Sequence, residues 1–279
     1  MTLSINTNIA ATRASKYLAT NHQNLQKRLD RLSSGKRITN PSDDAGGLSV
    51  SMKLEHSING LKGASKNISN GISLLQVQDG ILESAGQIVA RMGELRGMYD
   101  DVTKNTADKA TYDSEYRDLK DQLNALASTK FNDVNLFETS AGESKSVFIT
   151  ADGSSGASVD ISQHNFITDL DNTVADSIAS ASAADDAVDD NSSDEYTDAL
   201  AKIAEFRAAN GGQAKRLEYA LADVENQITN LTAANGRIMD VDIATESAAL
   251  AKHQILVQAS ASMVAQANSA NNVALTLLQ

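Results

Sequence analysis

Apolar residues recur every seven positions from Leu54 through Leu61, Ile68, Leu75 and Leu82 to Val89, and Leu74, Ile81, Ile88 and Leu95 form a second such series beside them. A period of seven held over that length predicts one long helix, from about residue 48 to residue 99, lying in a bundle or coiled coil. Intrinsic propensity does not explain it, because Gly60, Gly63, Gly71, Gly80, Gly86, Gly93 and Gly97 interrupt the run. Each costs about 0.5–1 kcal/mol relative to alanine, together roughly 4–7 kcal/mol. Burying the large residues returns about 1.5–3 kcal/mol each as an upper estimate, and only where partner helices cover them. The glycines either admit a close neighbour or lie along a solvent-facing strip.

The same pattern marks further elements on both sides. Ile5 and Ile9, followed by Leu18, Leu25, Leu29 and Leu32, predict an amphipathic helix within residues 3–34, ended by Gly35 and by Pro41, the single proline. Ser42, Asp43 and Asp44 are candidate caps for the long helix that follows. Tyr112, Tyr116, Leu119, Leu123 and Leu126 step by four and three along a third helix stopping near Phe131. Val147 and Ile149, then Val159 and Ile161, alternate around a turn containing Asp152 and Gly153, which predicts a β-hairpin of 146–150 with 158–162. Ser192 and Glu195 fit a capping box that opens another long helix carrying Leu217, Leu221, Val224, Ile228 and Leu231. In the last segment Ile243, Leu250, Val257, Val264 and Leu278 keep the spacing of seven, with Asn271 in the remaining place and Ala or Ser beside them. A seam that narrow requires a partner.

The expected fold is therefore mainly α: a long-helix bundle with a small β-hairpin, its N- and C-terminal helices paired. Three regions are expected: residues 1–45 as an N-terminal core helix, 46–235 as a helical bundle, and 236–279 as a C-terminal core helix pairing with the first. Within the bundle the hairpin occupies about 134–165 and an acidic loop about 165–192. Each terminal segment is too poor in large apolar residues to fold stably alone, so pairing with one another and with further copies is expected. Head-to-tail contacts of that kind propagate into a helical filament.

Composition narrows the functional classes. The 279 residues include 41% apolar residues but only 4% aromatics and no Trp, which favours extended helical packing over one spherical core. With no Cys, disulfides, thiolate chemistry and Cys-ligated metals are excluded. No apolar run reaches the roughly 18 residues needed to span a bilayer, and MTLSINTNIAATRA has neither a basic n-region nor an unbroken apolar stretch. No membrane association and no cleaved signal are expected.

Net charge is −12, yet residues 1–40 carry seven basic residues against Asp30 alone, giving +6 there and −18 elsewhere. Those cations alternate with leucines at helical spacing and have only Tyr17 among aromatics, so they predict a basic face meeting an acidic protein surface, not nucleic acid. Ten acidic residues and no Lys or Arg lie between Asn165 and Ala201, a solvated stretch without the ligand spacing of an EF-hand. The histidines His22, His56, His164 and His253 are scattered, and no HExxH, GxSxG, GxxxxGKS or GxGxxG pattern occurs. No catalytic residue, cofactor or metal is expected, and an enzyme is the least favoured class.

Several blocks, in order, carry a resemblance: LSINTNIAATRA, RLSSGKRITNPSDDAGGLSVSMKL and NISNGISLLQVQDGIL toward the start, ATESAALAKHQILVQASASMVAQAN and NVALTLLQ at the end. Over nearly its whole length the chain resembles a bacterial flagellin, of a short form without large outer domains. The resemblance implies a subunit that assembles head-to-tail into the extracellular flagellar filament for swimming motility. Its assembly core would include Leu18, Leu25, Leu29, Leu32, Ile243, Leu250, Val257, Val264 and Leu278. Implied partners are further copies, the flagellar export apparatus with an export chaperone, and hook-associated and cap proteins. Similar flagellins present a patch to an innate immune receptor, and the matching positions are Arg91, Glu94, Leu95 and Asp118, with Gly93 and Asp118 departing from the family pattern; the same residues could serve a subunit contact. Two alternatives use the same heptads: a flagellin-like hook-filament junction protein, and a coiled-coil adaptor.

Overall fold

The computed structural model describes residues 8–137, 144–164, 188 and 193–276, without the side chains of Ser154 and 270–276. Five α-helices carry the fold: α1 Ile9–Ser34, α2 Ala45–Tyr99, α3 Thr106–Ala127, α4 Ser193–Met239 and α5 Ile243–Thr276. Two short antiparallel hairpins join them, β1 Lys130–Phe131 with β2 Val134–Asn135, and β3 Ser144–Phe148 with β4 Ser158–Ser162. The mainly helical architecture with paired terminal helices is as the sequence pattern predicts; the first hairpin is an addition. Asn132 and Asp133 take φ of 50° and 63°, the pair of positive values that a two-residue I′ turn demands and that Asn and Asp tolerate.

Contacts divide the chain into two compact units, residues 1–56 with 230–279, and residues 57–229. The second holds the large core. Leu82, Val89, Met92 and Leu95 of α2, Tyr116 and Leu123 of α3, and Tyr196, Ala199, Ile203 and Phe206 of α4 are buried together with Leu136, Phe137 and Val188. At its centre the Tyr196 hydroxyl donates to the Tyr116 hydroxyl at 3.2 Å, and the Gln78 amide donates to the Leu136 carbonyl at 3.0 Å.

The stripe that α2 buries differs in part from the two series of large residues. Leu61, Ile68, Leu75, Leu82 and Val89 are buried as expected, but their companions three positions on are Ala64, Gly71, Gln78, Ala85 and Met92. Leu74, Ile81 and Ile88 sit half-buried at the edge. Small residues win the inner positions because neighbours pass close by: a Cβ on Gly71 would lie 3.0 Å from Val147 of the hairpin and 3.3 Å from Leu217 of α4. At Gly60 it would lie 2.7 Å from the Ala151 carbonyl oxygen, a collision with backbone. Gly63, Gly80 and Gly97 face open space, so the glycines serve both purposes that the pattern allowed.

The β3–β4 hairpin pairs Val147 with Val159 and Lys145 with Ile161; its first strand, Ser144–Phe148, lies two residues earlier than 146–150, because Thr150 to Gly156 form a wide connection with a 3₁₀ turn at Gly153–Ser155. The capping box at Ser192 and most of the acidic stretch 165–192 lie outside the described residues. Within the first unit, by contrast, burial is sparse. Among its described residues only Ile38, Ser51, Met239 and Glu246 are buried, and α1 has no buried residue at all.

Candidate assembly surface

The first unit is built on the antiparallel pair α1 and α5. Asn8 caps α1 by accepting from the Ala11 amide at 2.9 Å, and its side-chain amide donates to the Ala267 carbonyl at 2.8 Å, joining the start of one helix to the far end of the other. Further along, Asn21 donates to the Ser260 hydroxyl at 2.8 Å. Near the other end, Arg28 grips Glu246 through both carboxylate oxygens at 3.1 and 2.9 Å. Half-buried Leu18, Leu25 and Leu32 of α1 and Leu250, Val257 and Val264 of α5 follow the predicted heptads. The positions between them are small or polar: Ala14, Asn21 and Arg28 on one helix, His253, Ser260 and Ala267 on the other.

Sequence periodicity missed those polar members, since none is apolar. Their signal was the offset of three from each predicted seam position. Leu29 and Ile243 fall off the shared seam and are 46% and 66% exposed, while Leu278 lies outside the described residues.

The link after α1 is fixed by backbone and charge. Gly35 takes φ of 70°, the left-handed cap that ends a helix, and its carbonyl accepts from the Val241 amide at 3.0 Å. Ile38 and Met239 are buried in this unit beside that junction. Asp43 accepts from Lys27 at 2.6 Å, lies 3.6 Å from Arg31, and bonds the Thr39 amide and hydroxyl at 3.4 and 3.2 Å. The Lys27 ammonium, aided by Thr39 and opposed by burial, holds the Asp43 carboxyl well below the usual carboxylate range. Asp44, not Asp43, receives the Gly47 amide at the start of α2. The basic face of α1 therefore meets carboxylates of its own chain at Lys27, Arg28 and Arg31.

Among its polar side chains the pair leaves several large apolar ones uncovered. Ile9, Tyr17, Ile255 and Met263 are each more than 60% exposed, and Tyr17, Leu256, Ala259 and Met263, with Arg13 and Ser260, line a groove of about 320 Å³ between the helices. Each exposed large side chain forgoes about 1.5–3 kcal/mol that burial would supply.

The other predicted positions lie on the second unit. Arg91 donates to Glu94 at 2.9 Å and to Glu115 of α3 at 2.8 Å. Glu94 and Asp118 are exposed, and Leu95 is fully buried in the core. The structure thus brings Arg91 and Glu94 together through an ion pair and places Leu95 beneath the surface.

A chain that carries one self-contained helical core and terminal helices with large apolar side chains left exposed defines a class of helical assembly subunit. The comparisons with known proteins agree. Residues 5–141 match the bacterial flagellin N-terminal helical region and residues 194–278 the bacterial flagellin C-terminal helical region. The chain is 33% identical to a flagellin of Halalkalibacterium halodurans over 280 residues, covering 99% of each. It is 34% identical to a flagellin of Bacillus subtilis, again over 99% of each chain, and 33% identical to a flagellar filament 33 kDa core protein of Treponema phagedenis over 99% of each. The chain belongs to the bacterial flagellin family.

Proposed function

We propose that this protein is the structural subunit of a bacterial flagellar filament, built by head-to-tail self-assembly for swimming motility, with residues 1–45 and 236–279 as its assembly core and residues 46–235 as a separate helical domain. One observation carries the reading: α1 buries none of its residues within the chain although it pairs with α5 over most of its length. Further copies supply the missing cover for Ile9, Tyr17, Leu29, Ile243, Ile255 and Met263; Leu18, Leu25, Leu32, Leu250, Val257 and Val264 lie along the seam, and Leu278 belongs to the same assembly core. The protein acts outside the cell as part of the flagellum and is exported through the flagellar apparatus, with an export chaperone. Hook-associated and cap proteins bound the filament at its ends. Its role is structural and not catalytic.

Exposed Glu94 and Asp118 and half-buried Arg91 support a contact on the second unit, to another subunit or to an innate immune receptor, in which Leu95 acts by packing beneath them. The direct test of the filament reading is electron microscopy of the purified chain and of residues 1–235 alone after raising concentration and salt. Filaments from the full chain only are the expected result. Filaments from both would remove the C-terminal helix from the assembly core, and filaments from neither would favour a junction protein or an adaptor.

A further inference from the structure

We propose that Met263 is a modification site at which peroxides act on the free chain, and that filament assembly excludes chains carrying its sulfoxide, an inference that rests on the filament reading above. The chain has no Cys and no Trp, which leaves the methionine thioether as its most readily oxidised side chain. Burial then divides the methionines. Met92 is fully buried and Met239 nearly so, whereas Met52, Met98 and Met263 are exposed. An oxidant in solution reaches these three.

Surroundings distinguish Met263 among them. It stands on α5 and lines the groove of about 320 Å³ shared with Tyr17 and Leu256, whereas neither Met52 nor Met98 lines it. Exposed Ile9, Tyr17 and Ile255 lie on the same helix pair, so Met263 belongs to the apolar set that further copies cover. A thioether suits that task, being apolar and flexible enough to fill an irregular gap. Its sulfoxide is polar, and burying it costs hydration that the thioether never had.

In the oxidation a lone pair of Met263 Sδ attacks one oxygen of hydrogen peroxide, the O–O bond breaks as the S–O bond forms, and the other oxygen leaves as water after proton transfer. Sulfur loses two electrons and the peroxide gains them. A methionine sulfoxide reductase reverses the change with two electrons from thiols, releasing the oxygen as water. Once the filament forms, neighbouring copies cover Sδ and oxidation there ceases. Assembly thus selects the reduced chain and then protects it.

To test this, full-length chain is partly oxidised with hydrogen peroxide, assembled and sedimented, and sulfoxide at each methionine is measured by peptide mass spectrometry in pellet and supernatant. Met263 sulfoxide should be enriched about tenfold or more in the supernatant, Met52 and Met98 sulfoxide far less, and reductase treatment should return the excluded chain to the filament. Absence of sulfoxide at Met263, equal amounts in both fractions, or exclusion no stronger than for Met52 would overturn the proposal while leaving the filament reading intact. No filaments from untreated chain would overturn both. Preformed filaments given the same dose should keep Met263 reduced, and sulfoxide there at the free-chain level would refute the shielding. Met263→Leu supplies a second readout: peroxide should leave its critical concentration unmoved while raising that of the unaltered chain, and an equal rise in the variant would refute the site. Should the variant fail to assemble, the partition of sulfoxide in the unaltered chain decides.

Discussion

Asn210 offers the sharpest quantitative prediction. It occupies an inward position on α4, between Phe206 and Leu217, with 2% of its surface exposed. Neither its carboxamide nitrogen nor its oxygen has a hydrogen-bond partner among the described residues. Leaving such a group buried and unpaired costs about 1–3 kcal/mol. Asn210→Leu removes that cost and adds about 1.5 kcal/mol of apolar burial. Overpacking normally takes back about 1–3 kcal/mol, but the adjoining recess of about 610 Å³ gives the extra methyl groups somewhere to go. The net expectation is a stabilisation of roughly 2–3 kcal/mol, or about 5–10 °C for a unit of this size. Denaturation of the monomeric chain followed by near-ultraviolet circular dichroism isolates the second unit, since buried Tyr116 and Tyr196 belong to its core and the chain has no Trp. A variant no more stable than the original would mean that the carboxamide is satisfied in solution, and the argument from unpaired burial would fail.

The glycines of α2 separate cleanly. Gly63→Ala, facing open space, should stabilise by about 0.5–1 kcal/mol, whereas Gly60→Ala, which drives a Cβ against the Ala151 carbonyl, should destabilise by about 1–3 kcal/mol; chemical denaturation of the two variants must give opposite signs. Asp43 predicts a pH dependence. Its folded carboxyl is held low by Lys27, so its contribution is fully present above the unfolded value of about 4 and is lost as pH falls toward the folded one. Asp43→Asn should therefore flatten the acid side of the stability curve, measured by helicity between neutral pH and pH 2, and an unchanged acid slope would remove Lys27–Asp43 as its source.

How much was legible beforehand depends on what each position reports. Leu61, Ile68, Leu75, Leu82 and Val89 carry their period openly, and a helix of 55 residues follows from them. The companion stripe was invisible because Ala64, Gly71 and Ala85 are buried for lack of bulk, and Gln78 for its bond to Leu136; none registers in a search for large apolar residues. The I′ turn at Asn132 and Asp133 was too short to show alternation. In the terminal pair, Leu18, Leu25 and Leu32 were readable, but the amide and hydroxyl bonds of Asn21 to Ser260 and the grip of Arg28 on Glu246 join residues more than 200 positions apart. Charge pattern along one helix identifies a basic face meeting an acidic surface without naming the carboxylates, Asp43 and Glu246, that answer part of it within the chain.

The central claim is that the uncovered apolar face of the α1–α5 pair is the assembly surface. Ile255→Asp combined with Met263→Asp tests it, because both side chains are more than 60% exposed and their replacement leaves the intramolecular bonds of the pair in place. Sedimentation of assembled from unassembled chain across a concentration series, with helicity measured in parallel, is the measurement to make. The account predicts unchanged helicity in the monomer and no filaments at concentrations where the unaltered chain polymerises. Filaments forming at the original critical concentration would contradict it.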